Sequence, residues 1–297
     1  PLKFNKKTIK EVNNFGIQWN LFQKTQFDSF TGLDLTESRL RECTGWNLNK
    51  LKGSTILELG SGAGRFTEIF LKYGAYVVSV ELSNAAEANY QNNKNNNLII
   101  VKDSLFNFNC GGITFDYVFC YGVAQHVQQP EKLYITCVDH LKINSGLLSI
   151  DHYWKRLGPF VPCFLYYPKY LWRPITKKLD ENLLLFIIKT IYPIILPVDI
   201  FLKKLFPKFI YKLIKIFIPI PIANYFREVG IKQDYQNLLS WCIMDTFDQL
   251  GPQYDEPWTY EKLYKVAKKL NLSNFEVKKM TRNANGLVLN GTSRKLN

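Results

Sequence analysis

Three glycines at alternate positions, Gly60, Gly62 and Gly64, follow the apolar run Thr55-Ile-Leu-Glu-Leu59 and precede an amphipathic stretch that begins at Arg65. Glycine in a strand-to-helix turn permits positive φ and lets a ligand lie against the backbone, and the helix start beyond it attracts anionic groups. That is chemistry for holding part of a nucleotide. The spacing narrows it: a dinucleotide turn of the G-x-G-x-x-G kind needs its third glycine at position 65, where Arg65 stands. Carboxylates accompany the turn, Glu58 before it and Glu81 directly after the next apolar run, Tyr76-Val-Val-Ser-Val80. Asp103-Ser104 follow a third run, Leu98-Ile-Ile-Val101, and His126 lies in the loop after a fourth, Phe115–Cys120. His152 follows a fifth, Leu147–Ile150, within Asp151-His-Tyr-Trp154, whereas His140 falls near a helix end and reads as structural.

The elements that must position these groups alternate between strand and helix. Between the runs, Phe66, Ile69, Phe70 and Tyr73 recur at helical spacing, Ala85–Asn93 forms a second helix, and Pro130 opens a third that runs to Leu141. Strand and helix alternating over about 100 residues imply a parallel, doubly wound sheet. Tyr260–Leu270 reads as a last helix, and Phe275–Met280 with Gly286–Leu289 as a closing antiparallel pair. The fold expected is therefore α/β: a doubly wound, mostly parallel seven-stranded sheet whose last strand is antiparallel. A short N-terminal helical cap and a large helical insertion after the fifth strand complete it. The expected division is a cap over 1–50, a core over 51–152, an insertion over 153–258, and the closing helix and strands over 259–297. Thr36 is the expected N-cap of a helix in the cap region.

Glu58-Leu-Gly-Ser-Gly-Ala-Gly64 follows the E/D-x-G-x-G-x-G pattern and so resembles class I S-adenosylmethionine-dependent methyltransferases. The resemblance implies S-adenosylmethionine as cofactor. It implies that Glu58 holds water or the methionine ammonium, that Gly60, Ser61, Gly62 and Gly64 pack on the carboxypropyl and ribose parts, and that Glu81, with Leu82 beside it, binds the ribose. A carboxylate suits that last task because two acceptor oxygens match two neighbouring hydroxyls. Asp103 and Ser104 would meet the adenine, and Tyr121 and Gly122, in Cys120-Tyr-Gly-Val-Ala-Gln-His126, would face the methyl donor. Phe15-Gly-Ile-Gln-Trp19, Thr25–Ser29, Pro221–Tyr225 and the stretch Asp245–Pro257 resemble a bacterial subgroup of the family, which carries the likeness over nearly the whole chain.

Methyl transfer from a sulfonium is an in-line displacement that depends on holding the acceptor close and excluding water. A side-chain base is needed only where the acceptor loses a proton, and His126 and His152 are the candidates. Tyr153, Asp245, Asp248 and Tyr254 are candidate acceptor contacts; no metal site is expected. The expected reaction is methyl transfer to a small-molecule, sugar or lipid-linked acceptor. Two alternatives stand beside it. A nucleic-acid methyltransferase is suggested by charge, yet the loop after the fourth strand reads Cys120-Tyr-Gly-Val rather than Asn/Asp-Pro-Pro-aromatic, so nucleic acid is an unlikely partner. A non-catalytic binding module that keeps the fold is opposed by the intact glycines and Glu81.

The net charge of +13 is not evenly spread. Residues 155–232 hold 14 Lys/Arg against 4 Asp/Glu, a net +10, and the remaining 219 residues carry +3. Such a segment calls for a local acidic partner rather than a chain-wide grip on nucleic acid. Leu183–Val198 is almost wholly apolar, and Phe201–Ile218 sets apolar clusters among Lys203, Lys204, Lys208, Lys212 and Lys215. The insertion is read as a lid over the acceptor, as a contact with an anionic membrane surface, or as a dimer interface; a spanning helix is not expected, because no window reaches about 20 uninterrupted apolar residues. Six scattered cysteines without a C-x-x-C pair argue against a disulfide or zinc framework. The expected location is the cytoplasm, with association to the membrane surface under the membrane reading of the insertion.

Overall fold

A computed structural model describes residues 6–165, 167–207, 210–211, 234–280 and 286–294. The expected readings at Lys208, Lys212, Lys215 and Pro221–Tyr225 lie outside the described residues.

Contacts divide the chain into two units. The larger one, residues 15–156 and 254–297, contains the sheet. Its strands are β1 (Thr55–Leu59), β2 (Tyr76–Val80), β3 (Leu98–Val101), β4 (Tyr117–Cys120), β5 (Leu147–Tyr153), β6 (Leu272–Lys279) and β7 (Gly286–Ser293), arranged β3-β2-β1-β4-β5-β7-β6. β1 to β5 are mutually parallel, and β7 runs antiparallel between β5 and β6. Helices α4 (Arg65–Lys72), α5 (Ala85–Asn92) and α6 (Pro130–Asp139) make the crossovers, and α10 (Tyr260–Ala267) precedes the closing hairpin. The expected doubly wound sheet is what forms. Alternation along β1 assigns its side chains to the two faces: Leu57 and Leu59 join the core with Leu133, Tyr134 and Ile150, while Ile56 joins Phe66, Phe70 and Phe119. Glu58 shares the Ile56 face. Strand order reverses between β1 and β4, and that carboxyl edge is where open α/β sheets bind ligands.

The expected cap over 1–50 is divided between the units: residues 15–50 cluster with the sheet and residues up to Asn14 with 157–253. In the sheet unit the cap contributes the later half of α1 (Lys6–Leu21), α2 (Asp28–Thr31) and α3 (Leu35–Thr44). The N-cap of α3 is Asp34 rather than Thr36, and the Asp28 carboxylate accepts from the amides of Thr36 and Glu37, each at 2.9 Å. The insertion is also narrower than 153–258. Tyr153 extends β5 opposite Gly286, and the Trp258 amide donates to the Tyr153 carbonyl at 2.8 Å, which ties both flanks to the sheet.

The second unit contains α7 (Lys169–Thr176), α8 (Glu181–Leu205) and α9 (Tyr235–Leu250). α8 runs 25 residues through Pro193 and Pro197. Proline in a helix interior removes one i→i−4 bond, so Pro197 frees the carbonyl of Pro193. That carbonyl accepts from the Tyr235 hydroxyl at a long 3.5 Å. Contrary to expectation, α8 is long and apolar enough to cross a membrane, by length and composition alone. Arg173 of α7 is buried and donates from its two terminal nitrogens to the carbonyls of Gln249 and Pro252, at 2.9 and 2.7 Å. Thr176 donates to Leu250 O at 2.9 Å, so α7 closes the C-terminus of α9.

Candidate active site at the carboxyl edge of the sheet

The glycine turn is built as its residues require. Gly60, Gly62 and Gly64 all have positive φ, at 77°, 55° and 89°. A Cβ on Gly60 would lie 2.3 Å from a Val123 methyl carbon, and one on Gly64 would lie 2.1 Å from Asn89 Oδ1. Asn89 of α5 holds the turn: its Nδ2 lies 3.0 to 3.1 Å from the hydroxyls of Ser61, Thr67 and Ser79. Asn93 donates to the Gly64 carbonyl and to Asn89 Oδ1, each at 2.9 Å. Glu58 belongs to this same network. Its Oε2 accepts from Thr67 at 2.5 Å and from Ser79 at 3.4 Å, and burial pushes its carboxyl up to about 8. In this geometry Glu58 anchors the turn through Thr67 and Ser79. Strand alternation turns Glu58 under α4.

Glu81 is different. Its Oε2 accepts the Gly62 amide at 2.9 Å, and its Oε1 accepts the Ser83 amide and hydroxyl at 2.9 and 2.7 Å. The tips of β1 and β2 are thus one hydrogen-bonded structure, with half-buried Leu82 beside it. At the β3 tip, Asp103 Oδ1 accepts from the Ser104 amide at 2.6 Å. Ser104 is buried, and its carbonyl and hydroxyl organise the following turn through Phe106, Asn107 and Phe108.

The loop after β4 separates its expected contacts. Tyr121 turns into the core, stacked on Phe119 at 4.2 Å with its hydroxyl 2.8 Å from Ser149. Gly122 remains at the edge: a Cβ there would meet nothing within 4 Å. Its amide donates at 2.6 Å to Asp151, whose other oxygen pairs with Arg39 of α3 at 3.0 Å. His126 is buried against the edges of Phe15 and Tyr153, and its Nδ1 donates to the Tyr254 carbonyl at 2.9 Å. That bond fixes the tautomer and makes Nε2 the acceptor nitrogen of the neutral ring. Beside it, Gln125 is wholly buried, and neither atom of its side-chain amide has a hydrogen-bond partner among the described residues.

His152 is corrected from a candidate base to a packing residue. β5 runs three residues further than expected, which places His152 inside the strand opposite Leu287. Its ring stacks on Trp258 at 4.3 Å, its Nε2 donates to the Glu256 carbonyl at 2.8 Å, and its Nδ1 faces the Tyr134 hydroxyl at 3.1 Å. Burial pushes its pKa down to about 4, so it is neutral at pH 7 and both nitrogens are engaged. Asp245 and Asp248 stand half-buried on α9 in the other unit, whereas Tyr254 belongs to the sheet unit and reaches His126 through its backbone.

Sequence reasoning missed the cover. The later half of α1 crosses the tips of three strands: Trp19 lies over Gly62, Gly16 over Ser83–Asn84, and Phe15 against His126. The signal was there, since small Gly16 sits between two large aromatics at helical spacing. Asn89 and Ser79 were likewise visible as polar residues in otherwise buried positions.

Residues 57–149 match the family model described as a methyltransferase domain. No curated protein matches the chain in sequence. Among solved structures, human N-acetylserotonin methyltransferase in complex with SAM aligns over 99% of this chain and 61% of its own, at 10% identity and a TM-score of 0.53. An S-adenosylmethionine dependent methyltransferase from Mesorhizobium loti aligns over 35% of this chain and 48% of its own, at 20% identity and a TM-score of 0.33. The N-methyltransferase NodS from Bradyrhizobium japonicum, in complex with S-adenosyl-l-homocysteine, aligns over 40% and 60%, at 19% identity and a TM-score of 0.35. The chain thus spans about half to three fifths of the length of these three proteins. The human enzyme's likeness is one of fold. With the glycine turn and the Glu81 link, the sheet unit has the fold of class I S-adenosylmethionine-dependent methyltransferases, and its segment 57–149 matches a methyltransferase domain.

Proposed function

We propose that the protein transfers a methyl group from S-adenosylmethionine to a small-molecule, sugar or lipid-linked acceptor. The observation that carries this reading is the bond from the Gly62 amide to the Glu81 carboxylate, which makes one cradle of two strand tips. The residues fit the cofactor. A carboxylate has about four acceptor positions and Glu81 uses three, so one stays available and rotation of the Ser83 hydroxyl releases another. Asp103 supplies a further acceptor at the neighbouring tip, and the space at Gly122 admits a group close to the backbone. The Gln125 side-chain amide, without a hydrogen-bond partner among the described residues, offers a donor and an acceptor to a bound ligand.

S-adenosylmethionine supplies an electrophilic methyl group. The chain's part is to hold and to shield: Trp19, Gly16 and Phe15 cover the edge, which excludes water from the displacement. His126, its tautomer fixed by Tyr254, takes a proton at Nε2 from an acceptor that must lose one.

The test is calorimetry with S-adenosylhomocysteine. Wild type binds, and Glu81→Ala loses roughly tenfold to a hundredfold in affinity, the size expected for hydrogen bonds to a charged group. Absence of binding by well-folded wild type overturns the reading. Binding without methyl transfer to any oxygen, nitrogen or carbon acceptor would leave a binding module instead.

A further inference from the structure

One face of α8 has no partner among the described residues. Leu183, Phe186, Ile194, Val198, Phe201 and Leu205 are all exposed, Ile194 at 70% and Phe186 at 65%. With 3.6 residues per turn, these positions fall in one stripe covering less than half of the helix circumference. The opposite face, with Leu184, Ile188, Tyr192 and Leu196, is buried, and Tyr192 meets Thr246 of α9 through a hydroxyl pair at 2.5 Å. A helix docked on a soluble protein turns polar residues outward. α8 is apolar on both faces.

The charges around the stripe define what covers it. Lys204 is exposed at the edge of the stripe near its C-terminal end, Lys178 just before its N-terminal end and Lys189 at mid-length. Of the nearby acids, Asp180 caps the helix by accepting from Asn182 and Leu183, Glu181 lies in the first turn, and Asp199 is buried and accepts from the Tyr211 hydroxyl at 2.8 Å. α7 of the same unit exposes Leu171, Trp172 and Ile175 as well. Apolar residues flanked by lysines, with a tryptophan at hand, match a surface that is apolar inside and anionic at its rim.

We propose that this face docks on an anionic lipid bilayer, with α8 lying in the plane of the interface. Ile194 and Phe201 enter the acyl boundary, and Lys204, at the edge of the stripe, meets the headgroup phosphates. A spanning arrangement is disfavoured by the packed face, because it would carry Asp199 and the Tyr192–Thr246 pair into hydrocarbon. The inference stands independently of the methyl-transfer reading.

The test is co-sedimentation of the full chain with phosphatidylcholine vesicles, with and without phosphatidylglycerol. The expected result is binding only when phosphatidylglycerol is present, release by alkaline carbonate, and at least about a tenfold loss in the double variant Ile194→Glu, Phe201→Glu. Lys178→Glu with Lys204→Glu should remove the preference for the anionic lipid. Circular dichroism and an intact response to S-adenosylhomocysteine check that the variants fold. For wild type, quenching of tryptophan emission by brominated lipid, diminished in Trp172→Phe, gives a readout that needs no charged substitution. The proposal is overturned if the chain stays in the supernatant, if the Ile194/Phe201 variant binds like wild type, or if carbonate fails to release it, which would mean a spanning helix. A dimer dissolved by the same double variant, without vesicle binding, would assign the face to a second copy of the chain.

Discussion

Glu58 is shut away from water among the hydroxyls of Thr67 and Ser79, and burial raises its carboxyl to about 8. A raised folded pKa stabilises the protein fully below the unfolded value near 4.5, and that contribution is lost as pH rises towards 8. His152 has the opposite sign. Its pKa of about 4 lies below the ordinary 6.5, so its contribution is complete above 6.5 and is lost as pH falls towards 4, at most about 3 kcal/mol. Glu58→Gln keeps the shape and removes the ionisation. Thermal melts from acid to alkaline pH should therefore find the variant gaining on wild type as pH approaches 8, and parallel curves would show that Glu58 does not titrate there. Gln125 provides a second test at this scale. A buried amide without a partner costs about 1–3 kcal/mol, so Gln125→Met should melt higher than wild type without ligand while turning over more slowly. A variant less stable without ligand would mean that the amide has a partner after all. Residue types at the glycine turn were legible in the sequence because the turn demands positive φ. The direction of each neighbouring side chain was not: Glu58 and Tyr121 both stand where the pattern expects ligand contacts, yet strand alternation turns them into the core.

At the scale of elements, the sheet could be read because each buried parallel strand is a short apolar run, whereas its ends could not. β5 continues past Ile150 through polar Asp151 and His152, because β7 pairs with them and supplies the hydrogen bonds that decide where the strand stops. That pairing partner lies more than a hundred residues away, so no local signal announces it. α8 is the converse case. Pro193 and Pro197 mark a break by local rules, but packing of the buried face carries the helix through both. The clearest energetic claim here concerns Arg173, which closes the C-terminus of α9 with hydrogen bonds to two carbonyls while buried. A cation there satisfies orphan carbonyls and opposes the negative end of the helix. Arg173→Met should cost about 2–3 kcal/mol in urea unfolding. Arg173→Lys should recover little, because one ammonium replaces two well-separated donors. Full recovery by lysine would reduce the role of Arg173 to its charge.

At the scale of the whole molecule, the net +10 over residues 155–232 makes an encounter with polyanions unavoidable, and what matters is which encounter survives at physiological salt. Binding to single-stranded RNA through lysines alone is driven by counterion release. With six phosphate contacts it should fall about three-hundredfold between roughly 50 and 200 mM salt. Docking of the α8 face on an anionic bilayer has two components, and only the coulombic one is screened. Burial of Phe186, Ile194, Val198 and Phe201 does not weaken with salt, so vesicle binding should fall by less than about tenfold over the same range. The two salt titrations, run on the same chain, therefore separate a charged surface from an amphipathic one. Equal slopes would mean that the apolar stripe stays out of the bilayer, and RNA binding that persists at 200 mM salt would move the acceptor search towards nucleic acid. A shallow slope for vesicles beside a steep one for RNA would direct that search towards acceptors held at a lipid surface, within reach of a domain anchored by its own insertion.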